Sequence, residues 1–303
     1  MDKHILETQL IDMVKKGNFE KTKMLCLLGA DVCFWDEKNK NALMYVEDEN
    51  IARLLIDYGA DVNKVNEKSC MVSPLGEVKN VDVARVFIEN GADVHQKDVA
   101  FRTPLFRAVE EKNIEKARLI LDNDGNVNDA NNSLMSLLMK AVSLNDEKMV
   151  ELLLERNANV NAFDVHKRRA LSFVRNVAIA KKIVENGGVV NYRDKWGNTP
   201  LINAVGENRI EIVKLFINSG AEINAQDNNG RTALMHAIKR NNIEVIKILV
   251  SNRADLHLKD DYGKSAILMA DENIRKIMFD TLRKKENSKN MFGQKLYVLK
   301  LKK

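Results

Sequence analysis

The sequence predicts an all-α repeat solenoid, and three observations carry that prediction. Two adjacent 33-residue stretches, DKWGNTPLINAVGENRIEIVKLFINSGAEINAQ from Asp194 and DNNGRTALMHAIKRNNIEVIKILVSNRADLHLK from Asp227, are one unit written twice. The Asp or Asn that opens this unit recurs at Asp36, Asn66, Asp98, Asn131, Asp164, Asp194, Asp227 and Asp260, at intervals of 30, 32, 33, 33, 30, 33 and 33 residues. Within the unit, apolar residues follow helical spacing over two short segments. One such pair cannot bury its own apolar face, whereas stacked copies can.

Each element of the unit has a local cause. Thr199 is a good N-cap and Pro200 stands at the first helical position, where its missing N–H costs nothing. A helix therefore begins there and carries Leu201, Ala204 and Val205 on one face. Glu207-Asn208-Arg209 ends it, because Asn tolerates the left-handed backbone that a tight helix-to-helix turn needs. A second helix carries Ile210, Val213, Leu215, Phe216 and Ile217 until Gly220 supplies a left-handed cap. Ala221 to Gly230 then forms an extended excursion ending in a turn, a finger, which leads to the next cap at Thr232. Leu201, Ala204, Val213 and Leu215 are the expected core.

The remaining repeats follow this frame with defined departures. Repeat 1 opens without a finger, with Thr8-Gln9-Leu10 at the helix start and Gly17-Asn18 at the corner. Leu43 to Val62, Leu75 to Val94 and Leu171 to Val190 span 19 residues, against 22 for Leu105 to Val127, Leu138 to Val160 and Leu201 to Ile223. Repeats 2, 3 and 6 thus lack nearly one helical turn at the corner, which predicts an edge notched there. Repeat 3 gains two residues in its finger, around Lys68 to Met71. Repeat 9 begins at Ser265 and ends in Ile274 to Leu282 as a C-terminal cap. Residues 1–286 therefore read as a solenoid of about nine repeats including caps, and 287–303 as a basic tail outside the pattern.

Thr199-Pro200-Leu201, Thr232-Ala233-Leu234, Thr103-Pro104-Leu105 and Gly220-Ala221, in register at a 33-residue period, resemble the ankyrin repeat. The resemblance extends over nearly the whole chain. It implies helix-turn-helix units with projecting β-turn fingers, which recognise other proteins through the fingers and the concave helices and do no chemistry themselves.

Composition agrees with such a module. The 45% hydrophobic content and three prolines of the 303-residue chain suit a solenoid, which grows in one dimension without splitting. No run of eighteen apolar residues and no basic-then-apolar leader occurs, so a cytoplasmic location is expected, of the source cell or of a host cell. Cys26, Cys33 and Cys70 are odd in number and irregularly spaced, which favours reduced thiols. The net charge of +5 is uneven: Arg283 to Lys303 carries eight Lys or Arg against Glu286 alone, so the rest is close to neutral at about −2.

Chemistry-bearing motifs are sparse. Gly263-Lys264-Ser265 ends like a phosphate-binding loop, but Leu258 stands where that loop needs a Gly, and the repeat frame already demands this G-x-T. His95 and His257 share a finger position far apart in sequence, without Cys or His at ligand spacing. No Ser, Cys or Thr has an evident base partner, so no enzyme, cofactor or metal is expected.

Two surface patterns remain. The residue before each T-P-L start, which the resemblance places on the concave groove, reads Lys40, Val72, Arg102, Met135, Arg168, Asn198, Arg231 and Lys264, five of the eight basic. This column either grips an acidic partner segment or reflects habitual finger endings. The fingers also carry Phe34, Trp35, Phe101, Phe163, Tyr192, Trp196 and Tyr262, of which Trp35, Phe101 and Trp196 are the leading interface anchors. Phe101 replaces a turn Gly, which predicts an irregular finger. The expected function is a monomeric, non-catalytic scaffold that binds another protein through Trp35, Lys40, Phe101, Arg102, Arg168, Trp196, Arg231, Tyr262 and Lys264. Two alternatives stand beside it: an effector or adaptor, secreted or viral, recruiting a host protein, and anion binding, to nucleic acid or a membrane surface, through the basic tail. Nucleic acid is the less expected partner, since the basic character is confined to that tail.

Overall fold

The computed structural model describes residues 3–67 and 70–284, so the basic tail over 287–303 lies outside the described residues. The chain divides into two compact units, Met1–Asn159 and Val160–Lys303, which hold repeats 1 to 5 and 6 to 9. In both, a repeat is a first helix, a corner, a second helix and a finger. Among the described residues there is no strand, only isolated bridges across fingers such as Gln226 with Thr232.

In the first unit the second helices are Phe19–Leu27, Glu49–Asp57, Val81–Glu89, Ile114–Asp122 and Glu147–Glu155. In the second unit they are Val177–Glu185, Ile210–Asn218 and Ile243–Ser251, and a helix over 272–284 closes the described chain. The first helices differ in length. Pro104–Glu110, Leu137–Ser143, Pro200–Gly206 and Ala233–Lys239 have 7 residues, whereas Ala42–Tyr45, Pro74–Glu77 and Ala170–Phe173 have 4. The three residues missing from repeats 2, 3 and 6 are therefore the last turn of the first helix. In full repeats the corner passes through a left-handed residue, Lys112, Asn145, Asn208 or Asn241. In short ones it passes instead through an extended valine, Val46, Val78 or Val174.

Helix starts are capped as the sequence predicts. Thr103, Thr199 and Thr232 each accept from the backbone N–H three residues on, at 3.3 Å. The core runs as two seams, first helix on first helix and second on second, as in Pro200–Gly206 against Ala233–Lys239 and Ile210–Asn218 against Ile243–Ser251. Leu201, Ala204 and Val213 are buried as expected, but Leu215 is only half-buried. Ile212 and Phe216 take its place, because with Val213 they turn toward the neighbouring helices and Leu215 lies at the edge of that face.

The notches of repeats 3 and 6 are filled from the following repeat. Lys116 is fully buried in Ile114–Asp122, and its Nζ donates to the Val78 carbonyl and, at 3.4 Å, to the Gly76 carbonyl at the end of the shortened helix. Arg209 does the same for repeat 6, donating to the Val174 carbonyl. Carbonyls exposed by the lost turn thus regain donors, which the burial of backbone groups requires.

Candidate partner-binding surface

The fingers are built on their opening Asp. In the fingers that open with Asp, one carboxylate oxygen accepts the backbone N–H groups two and four residues on, as Asp98 does from Ala100 and Arg102, both at 2.9 Å. Asp164, Asp194, Asp227 and Asp260 repeat the pattern, and Asn131 reproduces it with an amide oxygen. The fourth finger residue closes the turn with a left-handed backbone. Glycine provides it at Gly197, Gly230 and Gly263, but Asn39, Phe101, Leu134 and Lys167 do so elsewhere, and Met71 in the lengthened finger of repeat 3.

The finger holding Phe101 is regular, contrary to the expectation from its missing Gly. Phe101 N–H donates to the Asp98 carbonyl at 2.8 Å and Asp98 N–H to the Arg102 carbonyl at 3.0 Å, as in the glycine fingers. The Asp98 carboxylate fixes both ends of the turn, so the residue at its tip is forced left-handed whatever its side chain. The consequence is an apolar tip: Phe101 is 56% exposed and Leu134 in the next finger 50%.

The basic column is not a row of free cations. In the first unit it forms part of a continuous ladder of ion pairs along the first-helix face. Lys40 pairs with Glu77, whose other oxygen takes Arg107 at 3.2 Å. Arg107 reaches Asp98 at 3.4 Å, Asp98 takes Arg102 at 2.8 Å, Arg102 reaches Glu110 at 3.1 Å, and Glu110 takes Lys140 at 2.9 Å. Burial works against the Arg102 charge, but Asp98 and Glu110 outweigh it and hold the guanidinium above its ordinary value. Arg102 is thus half-buried and paired, not simply solvent-facing. The other members, Glu77, Arg107, Glu110 and Lys140, went unrecognised in the sequence. A signal was present: Tyr45, Arg107, Asn203 and His236 each stand nine residues after a finger Asp and donate to its second oxygen.

In the second unit the column divides. Arg168 pairs with its own finger Asp164 at 2.7 Å and lies 4.7 Å from the Phe173 ring centroid. Arg231 faces Asp260 at 3.7 Å, beyond hydrogen-bond length, and its buried Nε has no hydrogen-bond partner. Lys264 is exposed and, among the described residues, makes no ion pair. The finger aromatics divide as well. Trp196 is about half exposed, its ring tilted against His166 with centroids 5.3 Å apart, and Tyr262 is the most open at 71% exposure, with the Arg231 guanidinium 5.8 Å from its ring. Trp35 is half-buried, and Phe34 packs edge-on against His4. Tyr192 is buried, its hydroxyl bonded to Ser172 and to the Arg169 N–H, and burial pushes its pKa up to about 12. It is a structural residue.

Trp35, Lys40, Phe101 and Arg102 thus belong to the first unit, and Arg168, Trp196, Arg231, Tyr262 and Lys264 to the second. Such surfaces present fixed charges and apolar tips. Among the described residues no three His, Cys, Asp or Glu side chains gather as a metal site requires.

No curated protein matches the chain at a significant level. The family description Ankyrin repeats (3 copies) matches residues 75–164 and 169–260, more than half of the chain. With the all-helical repeats, the capped T-P-L starts and the Asp-anchored fingers in the same register, the chain belongs to the ankyrin-repeat family.

Proposed function

We propose that this chain is a non-catalytic scaffold that acts as a monomer in the cytoplasm and binds another protein through its finger tips and first-helix faces. Ankyrin repeats are in general protein–protein interaction modules. The contact residues would be Trp35, Lys40, Phe101 and Arg102 in the first unit, and Arg168, Trp196, Arg231, Tyr262 and Lys264 in the second. No described helix is long and apolar enough to cross a membrane.

One observation carries the reading. Phe101 and Leu134 hold large apolar side chains out at left-handed turn positions that glycine or a polar residue fills in the other fingers of regular length. The turn does not need these side chains, and exposing them is unfavourable, so contact with a partner is the use that accounts for them.

The test needs a partner captured by the full chain and identified by mass spectrometry. Phe101→Gly with Leu134→Gly should weaken its affinity about tenfold or more, the range of buried aromatic anchors. Parent-like affinity in that variant would remove these fingers from the site.

A further inference from the structure

At the far end of the second unit, a groove of about 1020 Å³ opens between repeats 8 and 9, lined among others by Arg231, Lys239, Tyr262, Lys264 and Leu268. Its apolar floor is unusual. Leu268 stands three residues after the Ser265 cap, a position occupied by Phe106, Met139, Ile202 and Met235 after their own caps. Those four are buried, whereas Leu268 is 64% exposed. A core-type side chain there has no following repeat to cover it among the described residues. Tyr262 stands beside it on the finger, and the buried Ile238 and Ile274 form the back wall.

Two of the three cations around this apolar floor are unpaired among the described residues, unlike those of the first unit. Lys239 and Lys264 are exposed and make no ion pair among the described residues. Arg231 lies 5.8 Å from the Tyr262 ring and approaches Asp260 through its Nε at 3.7 Å, an ion pair too long for a hydrogen bond, which leaves that buried Nε without an acceptor. The lining also holds two acids against these three bases, which leaves it one positive charge in excess. Asp260 is buried and accepts the Tyr262 and Lys264 N–H groups at 3.0 and 2.9 Å, and Asp271 accepts the Ile274 N–H at 2.7 Å.

We infer that this groove seats a short acidic segment of a partner protein. Its Asp or Glu side chains face Arg231, Lys239 and Lys264, and one large apolar side chain lies between Tyr262 and Leu268. Charge selects this occupant over the chain's own basic tail, which carries five Lys and no acid over 287–303 and has the wrong sign. Because the groove is cationic, a second copy docking groove to groove is disfavoured for the same reason. The inference rests on the protein-binding reading above and narrows it to one end of one unit.

A library of random twelve-residue peptides displayed on phage, selected on the full chain, tests it. Enriched sequences should carry two or more Asp or Glu flanking a Leu, Met, Phe, Tyr or Trp. As labelled synthetic peptides they should lose at least tenfold in affinity with Lys239→Glu plus Lys264→Glu, and about as much with Tyr262→Ala, while the melting temperature holds because these side chains are exposed. Raising salt from about 50 to 300 mM should weaken the parent complex and barely change that of the double variant.

Enriched peptides without an acidic excess, or acidic ones indifferent to the double variant, would overturn the inference. Binding lost with Phe101→Gly but kept in the groove variants would leave a protein-binding module whose site lies in the first unit. Peptide binding gained only after removal of residues 285–303 would assign the groove to the tail, and a dimer abolished by the double variant would assign it to a second copy. Either outcome removes the partner from the groove. No enrichment at all would count against both this inference and the wider reading.

Discussion

Phe101 and Leu134 occupy backbone conformations that Gly197, Gly230 and Gly263 hold without a side chain. A left-handed conformation costs an L residue roughly 1–2 kcal/mol, partly offset by the larger unfolded-state entropy that glycine would bring. Phe101→Gly is therefore expected to leave stability unchanged or raise it by up to about 1 kcal/mol, measured by urea unfolding. A loss of several kcal/mol would mean that the ring has a structural role. The finger carboxylates carry an opposite, pH-linked contribution. Burial pushes the Asp227 pKa up, but the Arg231 N–H, the His236 ring and the Asn229 N–H outweigh it, and the net value lies below that of an ordinary Asp. A carboxyl whose folded pKa is depressed adds stability that is complete above its unfolded pKa, near 3.9, and lost as pH falls through the folded value. Asp227→Asn should accordingly flatten the fall in stability below about pH 4, and an unchanged acid limb would contradict this account of the finger.

The shortened repeats show what an element requires of its neighbour. Lys116 stands thirteen residues after its cap, where Met149, Ile212 and Val245 are buried apolar residues after theirs. It points into the space left by the four-residue helix Pro74–Glu77 and caps its carbonyls. Burial pulls the Lys116 pKa down to about 8 from an ordinary 10.5, with Glu111 opposing. The unfolded chain then binds more protons than the folded one between those values, so stability should rise as pH goes from about 8 to 10.5, by on the order of 3 kcal/mol for this group alone. Lys116→Met should remove that rise, and equal slopes in parent and variant would place the ammonium in water. The sequence disclosed the missing turns by counting, because insertions and deletions shift a strict period. It did not disclose their filling, because a lysine in a helix reads as a surface residue until its neighbour's length is known. Leu215 was misplaced for a related reason. Val213, Leu215 and Phe216 are all apolar, and only the packing of adjacent repeats decides which of them face inward. A column of asparagines was likewise invisible: Asn191 accepts the Glu222 N–H at 2.8 Å and donates to the Gly220 carbonyl at 3.0 Å, tying one repeat to the next.

At the scale of the whole molecule, the basic column has two energetic roles that the sequence could not separate. A charge that faces water acts on an approaching partner, and one that faces a buried carboxylate acts on the fold. Arg102 and Arg168 belong to the second kind, since the carboxylates of Asp98 and Asp164 are almost wholly buried against them. Reversing either to Glu would set two carboxylates against each other in a site shielded from solvent. Each reversal is therefore expected to lower stability by roughly 2–4 kcal/mol, somewhat less than the ~3–5 kcal/mol for breaking a fully buried pair because both guanidiniums are part-exposed. Lys264→Glu should leave stability within about 0.5 kcal/mol, as exposed substitutions do, while changing association with an acidic partner. Urea unfolding of the three single variants, read beside their association rates at low and high salt, separates the roles. If Arg102→Glu and Arg168→Glu unfold like the parent, the ladder contributes nothing to the fold and the column is free for a partner along its length. If only Lys264→Glu retains parent-like stability and slows association, recognition by charge is concentrated where the internal acids run out.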